Sequence, residues 1–347
     1  MKKLMKGNDA IVHGSLLGGL THYFGYPITP ANEISETGSY YIAKAGRTFM
    51  QVESEIGAIN MIMGAAASGA RAMTASSGPG IALMGEGLSY LAGAELPCVV
   101  VDIQRCGTGL GYIFPEQGDY NMVVKGGGHG IYKNIVLAPN SAQEMADCAY
   151  KAFELSEKYR MTVFILSDAY VGQMMEAVDL PSEPKHVARN SWSVYADPET
   201  RNRLVTSLYL TKEELNERVE RTLAKYQLLK KEIVDFEDVM TEDADYVFTA
   251  FGICSRICHT AVKELRGKGI KVGLLRPKTL FPFPEKQFLK IASQAKKIFS
   301  VELNEGQMHE DVKLAVNGRI PVEHCGWYGG NLPSVTDLVN KVLQELN

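Results

Sequence analysis

The run from Pro97 to Ile103 restricts the fold more than any other stretch, because it is almost continuously apolar. A strand that offers no polar face must be covered on both sides, which is the situation of a parallel sheet between helices. The run ends at Gln104-Arg105. An arginine at the carboxyl end of such a strand sits where open α/β sheets hold ligands, and its planar fork suits a carboxylate. The competing reading is a surface arginine at a strand exit.

Around this strand the chain alternates helical and extended pieces. Residues 7–24 predict one helix, with Ile11, Leu16, Leu17, Leu20 and Phe24 on its apolar stripe and Gly25 as its stop. In Tyr26-Pro27-Ile28-Thr29-Pro30, two prolines three apart forbid helix and hold the Tyr26 ring and the Thr29 hydroxyl in fixed places. Thr29 could equally serve only to cap a helix beginning near Asn32. Next, a short strand from Thr48 to Val52 meets Glu53-Ser54-Glu55, and an Ala/Met/Gly-rich helix runs on to Gly69. An acid at the start of so apolar a helix is partly desolvated and suited to sharing a proton. The simpler alternative is that Glu53 and Glu55 only favour a helix N-terminus.

A strand at Ala72–Ala75 leads into Ser76-Ser77-Gly78-Pro79-Gly80 and a helix to about Ala92, a small-residue turn that presents free backbone N–H groups. Residues 106–130 are rich in glycine and aromatics, too long for an ordinary connection, and predict a functional cover or contact surface. Gly107-Thr108-Gly109-Leu110-Gly111 lacks the spacing of a dinucleotide fingerprint, which argues against a nicotinamide dehydrogenase. His129 reads as a loop hydrogen-bonder. Strands at Asn134–Ala138 and Thr162–Leu166, with a helix over 141–158 opened by Ser141 and Glu144, complete an α/β domain of residues 1–180.

Residues 181–244 are charged and proline-bearing, with a polar helix over 211–235 begun by a Thr211/Glu214 capping box. They read as an ordered connector in which Lys225 to Lys231 form a solvated face. From 245 to 347 the alternation resumes in a second α/β domain, with Glu302, Asn304, Glu305 and Gln307 at one strand end as a polar interface.

With 347 residues, 46% hydrophobic and 22% charged, the chain has material for about two cores. A net charge of -4 argues against nucleic acid. Apolar runs are broken well before membrane-spanning length, and no secretory segment is visible. The six cysteines include no Cys-x-x-Cys, which fits a reduced cytoplasm and predicts no metal or iron–sulfur framework in this chain. Cys254 and Cys258, four apart, predict helix packing.

Tyr-Pro-Ile-Thr-Pro at 26–30, Glu-Ser-Glu at 53–55, Thr-Ala-Ser-Ser-Gly-Pro-Gly at 74–80 and the loop that follows Arg105 resemble the α subunit of 2-oxoacid:ferredoxin oxidoreductases. Residues 273–284 and Val-Glu-Leu-Asn at 301–304 resemble that family's transketolase-C-like domain. Gly-Ala-Glu-Leu-Pro at 93–97 and Val-Lys-Gly-Gly-Gly-His-Gly at 124–130 are similar to the branched-chain (3-methyl-2-oxobutanoate) type.

The resemblance implies a pyrimidine-binding domain with a parallel sheet, sharing thiamine diphosphate with the diphosphate-binding domain of a β subunit. Glu55 then matches the glutamate that hydrogen-bonds the aminopyrimidine and promotes formation of the C2 ylide, with Tyr26, Pro27 and Ser77 as further cofactor-binding residues. Thr29 and Arg105 match residues that contact the 2-oxoacid. Coenzyme A would take the acyl group and ferredoxin the electrons. The chain contains no Gly-Asp-Gly segment, so Mg²⁺ and the iron–sulfur clusters are expected on partner β, γ and ferredoxin-like δ subunits, and the chain alone is expected to be inert. Cys106-Gly107-Thr108 stands where the family has Gly-Gly-Pro, which leaves substrate choice open between a branched-chain 2-oxoacid and 2-oxoglutarate. A non-catalytic scaffold subunit is the remaining alternative.

Overall fold

The computed structural model describes residues 2–346. Strand β1 (Lys3–Lys6) runs into helix α1 (Gly7–Leu17), and β2 (His22–Gly25) follows. Residues 7–24 are therefore not one helix. Gly18 and Gly19 end it, Gly19 taking φ +93, which only glycine adopts freely. Tyr23 and Phe24 are apolar because β2 is an inner strand between β4 and β3 of a covered sheet, with buried Leu20 leading into it, and a helical stripe is indistinguishable from that over so few residues.

Then come α2 (Asn32–Lys44), β3 (Thr48–Gln51), α3 (Glu55–Ala67), β4 (Ala72–Ser76), α4 (Gly78–Leu83), α5 (Gly85–Gly93) and β5 (Cys98–Gln104). The glycine-rich segment carries α6 (Tyr120–Lys125) and leads to β6 (Ile135–Leu137), α7 (Ala142–Tyr159), β7 (Thr162–Asp168), α8 (Ala169–Gln173) and β8 (Met175–Val178). Helix starts follow side-chain chemistry. Ser54 caps α3 by accepting from Gly57 N at 3.2 Å, and Ser141 caps α7 by accepting from Glu144 N at 3.2 Å.

The second half contains α9 (Lys212–Glu232), β9 (Phe236–Val239), β10 (Tyr246–Thr249), α10 (Gly252–Gly267), β11 (Val272–Pro277), β12 (Thr279–Phe281), α11 (Glu285–Ile291), β13 (Lys297–Glu302), α12 (Gln307–Val316), β14 (Val322–Gly326) and α13 (Val335–Leu346). Thr211 and Glu214 form the complete capping box of α9. Lys225 departs from the solvated-face reading, since it turns inward to pair with Glu95 beside α5. Cys254 and Cys258 are buried in α10, and all six cysteines are free thiols.

The larger sheet has the order β12-β6-β7-β5-β4-β2-β3, parallel except for β12 against β6. Every residue of β5 is buried, between parallel partners β4 and β7. The second sheet, β14-β13-β10-β11-β9, is parallel except for the edge strand β9. Strands β1 and β8 form a separate antiparallel pair. Two strands disregard the division at residues 180 and 245. β9 lies in the connector yet edges the second sheet, while β12 follows β11 yet pairs with β6 of the first. Among the described residues no helix is long and apolar enough to cross a membrane.

Candidate functional site

Strands β5, β4, β2 and β3 are neighbours in that order, so the segments leaving their carboxyl ends converge on one side of the sheet. These segments carry Arg105, Ser77, Tyr26 to Thr29, and Glu55. Glu55 is the first residue of α3 and only 5% exposed, whereas Glu53 is on the surface. Among the described residues its one hydrogen-bond partner is Ser76, whose hydroxyl donates to Oε1 at 3.4 Å. The room comes from Gly80, where an added Cβ would collide with both Ser76 Oγ and Glu55 Oε1. A buried carboxylate with one long contact lacks donors, and the aminopyrimidine of thiamine has the donors and the flat shape to fit here.

Arg105 is buried at the end of β5. Its Nη1 donates to Thr29 O at 2.7 Å and its Nη2 to Leu110 O at 2.8 Å, while Nε has no partner. The structure thus brings Thr29 and Arg105 together, but through the Thr29 carbonyl; the threonine does not cap α2, which begins after Ala31 with no side-chain cap. Tyr26 and Pro27 are exposed, with 40% of the Tyr26 surface open. Ser77 is fully buried and its hydroxyl has no partner. Beside Arg105 lies a cavity of about 780 Å³, with Pro79 and Leu83 of α4, Met122 and Asp119 among its walls. Glu55 does not line it. Helix α4 stands between the two, with Gly80 against the glutamate and Pro79 on the cavity.

Sequence reasoning gave no site role to Asp102, Asp119 or Gln117, setting Gly118-Asp119-Tyr120-Asn121 aside as a fragment that does not serve as Gly-Asp-Gly. Asp102 is fully buried in β5 with neither carboxylate oxygen in a hydrogen bond, and burial followed by the charge of Asp119 pushes its pKa well up. Burial also raises Asp119, to about 6, with the Gly78 amide opposing it. The signal was present, since Asp102 is the one charged residue inside the apolar run. Gly118-Asp119-Tyr120-Asn121 is a seam between the two halves. Gln307 Nε2 donates to Gly118 O at 3.0 Å and Asn121 N to Gln307 Oε1 at 2.8 Å. Gln117 completes it, donating from Nε2 to Phe251 O at 3.1 Å and accepting from Leu303 N at 3.1 Å. Asn304 Nδ2 donates to Gln117 O at 2.8 Å. The polar strand end at 302–307 is therefore an interface. His129 is held through its own N–H, 2.8 Å from Ser89 Oγ.

Residues 13–237 match the thiamine diphosphate-binding family model of pyruvate flavodoxin/ferredoxin oxidoreductases, and residues 244–338 match core domain II of pyruvate:ferredoxin oxidoreductase. A split-gene transketolase, an inactive β4 tetramer, shares the fold with a TM-score of 0.61 at 13% identity over 98% of this chain and 96% of its own. Fold and family models thus define the class, a thiamine-diphosphate-binding α/β protein with a pyrimidine-binding-type domain. Within that class the chain belongs to the 2-oxoacid:ferredoxin oxidoreductase family. It is 50% identical to ketoisovalerate oxidoreductase subunit VorB of Methanothermobacter thermautotrophicus over 98% of this chain and 97% of that one. Identity to 2-oxoglutarate synthase subunit KorA of Methanothermobacter marburgensis is 34%, over 98% of each. The solved 2-oxoglutarate:ferredoxin oxidoreductase from Magnetococcus marinus, with 2-oxoglutarate, coenzyme A and succinyl-CoA bound, gives a TM-score of 0.92 at 28% identity. All of this chain is matched there, and it spans 65% of the length of that one.

Proposed function

We propose that this chain is the α subunit of an oxidoreductase that converts 3-methyl-2-oxobutanoate, coenzyme A and two oxidised ferredoxins into the acyl-CoA, CO₂, a proton and two reduced ferredoxins. The observation that carries the reading is Glu55, a buried and under-satisfied carboxylate at the carboxyl end of the sheet. When bound, thiamine diphosphate supplies the carbanion chemistry, and the protein positions and polarises it. Glu55 holds or releases a proton at its carboxylate oxygens, and the apolar start of α3 keeps water from competing for it. Tyr26, Pro27 and Ser77 shape the pyrimidine corner. Arg105 brings the positive charge for the 2-oxoacid carboxylate, with Thr29 fixing its fork. The lack of a Gly-Asp-Gly segment supports a β subunit that holds the diphosphate and Mg²⁺, and the lack of Cys-x-x-Cys supports clusters carried on γ and ferredoxin-like δ subunits.

In the reconstituted complex, Glu55→Gln is expected to lower turnover roughly a hundredfold or more while leaving assembly intact. Unchanged turnover would mean a scaffold role and would overturn the proposal.

A further inference from the structure

The cavity beside Arg105 has an unequal charge distribution. Arg105 is its only cationic lining residue, whereas Glu116, Asp119 and Glu305 all reach its walls, and Pro79, Leu83 and Met122 supply apolar surface. Glu116 is occupied structurally, accepting from Gly107 N at 3.1 Å and from Gly329 N at 3.2 Å and so pinning two loops. Asp119 is set back from the rim, its Oδ2 buried without a partner and its charge felt by Asp102. Glu305 is different. It is exposed on the rim, its Oε1 accepts from Gln307 Nε2 at 3.1 Å, and no lysine or arginine among the described residues forms an ion pair with it.

We infer that this cavity selects 2-oxoacids with a single carboxylate and an uncharged aliphatic side chain, and that Glu305 is the residue that turns dicarboxylic 2-oxoacids away. The inference rests on the function proposed above and deepens it. One guanidinium compensates one carboxylate. A second carboxylate on the same substrate would have to lose its water against Pro79, Leu83 and Met122 or approach Glu305 with no counter-charge, and both are unfavourable. An aliphatic chain meets neither penalty and gains by covering the apolar wall. The discrimination is therefore built by repulsion as well as by fit.

The test compares kcat/KM for 3-methyl-2-oxobutanoate and 2-oxoglutarate in the reconstituted complex carrying wild-type chain, Glu305→Gln or Glu305→Lys. The wild-type ratio is expected to favour the branched-chain acid. Glu305→Gln narrows it several-fold and Glu305→Lys roughly tenfold or more, through a rise in the 2-oxoglutarate value that shrinks as salt is raised. Competitive inhibition of the unmodified complex gives an independent reading, with 2-oxoglutarate expected to inhibit far above the KM of the branched-chain acid. A ratio indifferent to both substitutions, or equally tight inhibition by 2-oxoglutarate, overturns the inference, whereas a wild-type preference for 2-oxoglutarate overturns the proposed function with it. If the wild-type complex turns over neither acid, it is the proposed function that falls.

Discussion

Glu55 is an acid in a place that the surrounding residues had to clear. Gly80 leaves out a side chain, Ser76 offers one long hydrogen bond, and Ser54 caps the helix so that Glu55 need not. Its position was legible because two carboxylates at a strand-to-helix junction form a local pattern. Arg105 was legible for the same reason, as the polar end of an apolar run. Asp102 showed only as a lone charge inside that run and Asp119 not at all, because their importance arises from coming together although the chain separates them by a long loop. Their protonation makes a prediction. Burial raises Asp119 from 3.8 to about 6, so the folded chain binds that proton more tightly than the unfolded chain. The resulting stability is complete below the unfolded value and is lost as pH rises through about 6. The melting temperature of the wild-type chain is thus expected to fall over this interval relative to Asp119→Asn. Parallel curves for the two proteins would refute it.

At the scale of elements, helix α12 shows how a polar strand end becomes structural. An α-helix leaves its first four N–H groups without partners. Here Asn304 Oδ1 accepts from Gly306 N at 2.7 Å and Gln307 N at 3.0 Å. Glu302 takes the next two, Met308 N at 2.8 Å and His309 N at 2.8 Å, and Ser300 Oγ donates to it at 2.7 Å. Burial raises the Glu302 pKa and these donors oppose that rise. Glu302→Ala strands two buried amides, so a loss of about 3 kcal/mol is expected in denaturant unfolding. A change within ~0.5 kcal/mol, the usual range for surface substitutions, would show that the amides find water instead. Helix α9 is the converse case, an element readable from end to end. Its capping box and charge pattern are local, whereas the inward turns of Lys225 toward Glu95 and of Arg218 onto Gly93 O at 3.2 Å depended on the fold.

For the whole molecule, the decisive feature is that the larger sheet is not assembled from one half of the chain. β12 crosses back to pair with β6, and Arg276 of β11 bridges the same junction. Its side chain is 2% exposed and forks onto Glu144 of α7 at 2.6 and 2.8 Å, with Nε on Glu237 of β9 at 2.8 Å. Burial alone would raise the Glu144 pKa, but the Arg276 fork outweighs it and holds it below the ordinary range. Arg276→Met leaves Glu144 partly buried without its main partner, and a loss of about 3–5 kcal/mol is expected. Because the pair joins the two halves, the wild-type chain is expected to unfold in one transition and the variant in two, monitored by far-UV circular dichroism and tryptophan fluorescence. Two transitions in the wild type would show that the halves are independent.

What the amino-acid sequence determined by itself is whatever depends on neighbours within a few residues. That covers the buried strand β5, the capped helices, the rigid Tyr26-to-Pro30 segment, the glutamate at the start of α3 and the arginine after β5. Only the tertiary structure decided that β5, β4, β2 and β3 lie side by side, that α4 separates Glu55 from the Arg105 cavity, that β9 of the connector edges the second sheet and that β12 joins the first. The physical reason is the range of the forces involved. Capping, alternation and proline stiffness act along the chain, whereas strand order and the pairing of buried charges are settled by packing between segments that the chain brings together only when it folds.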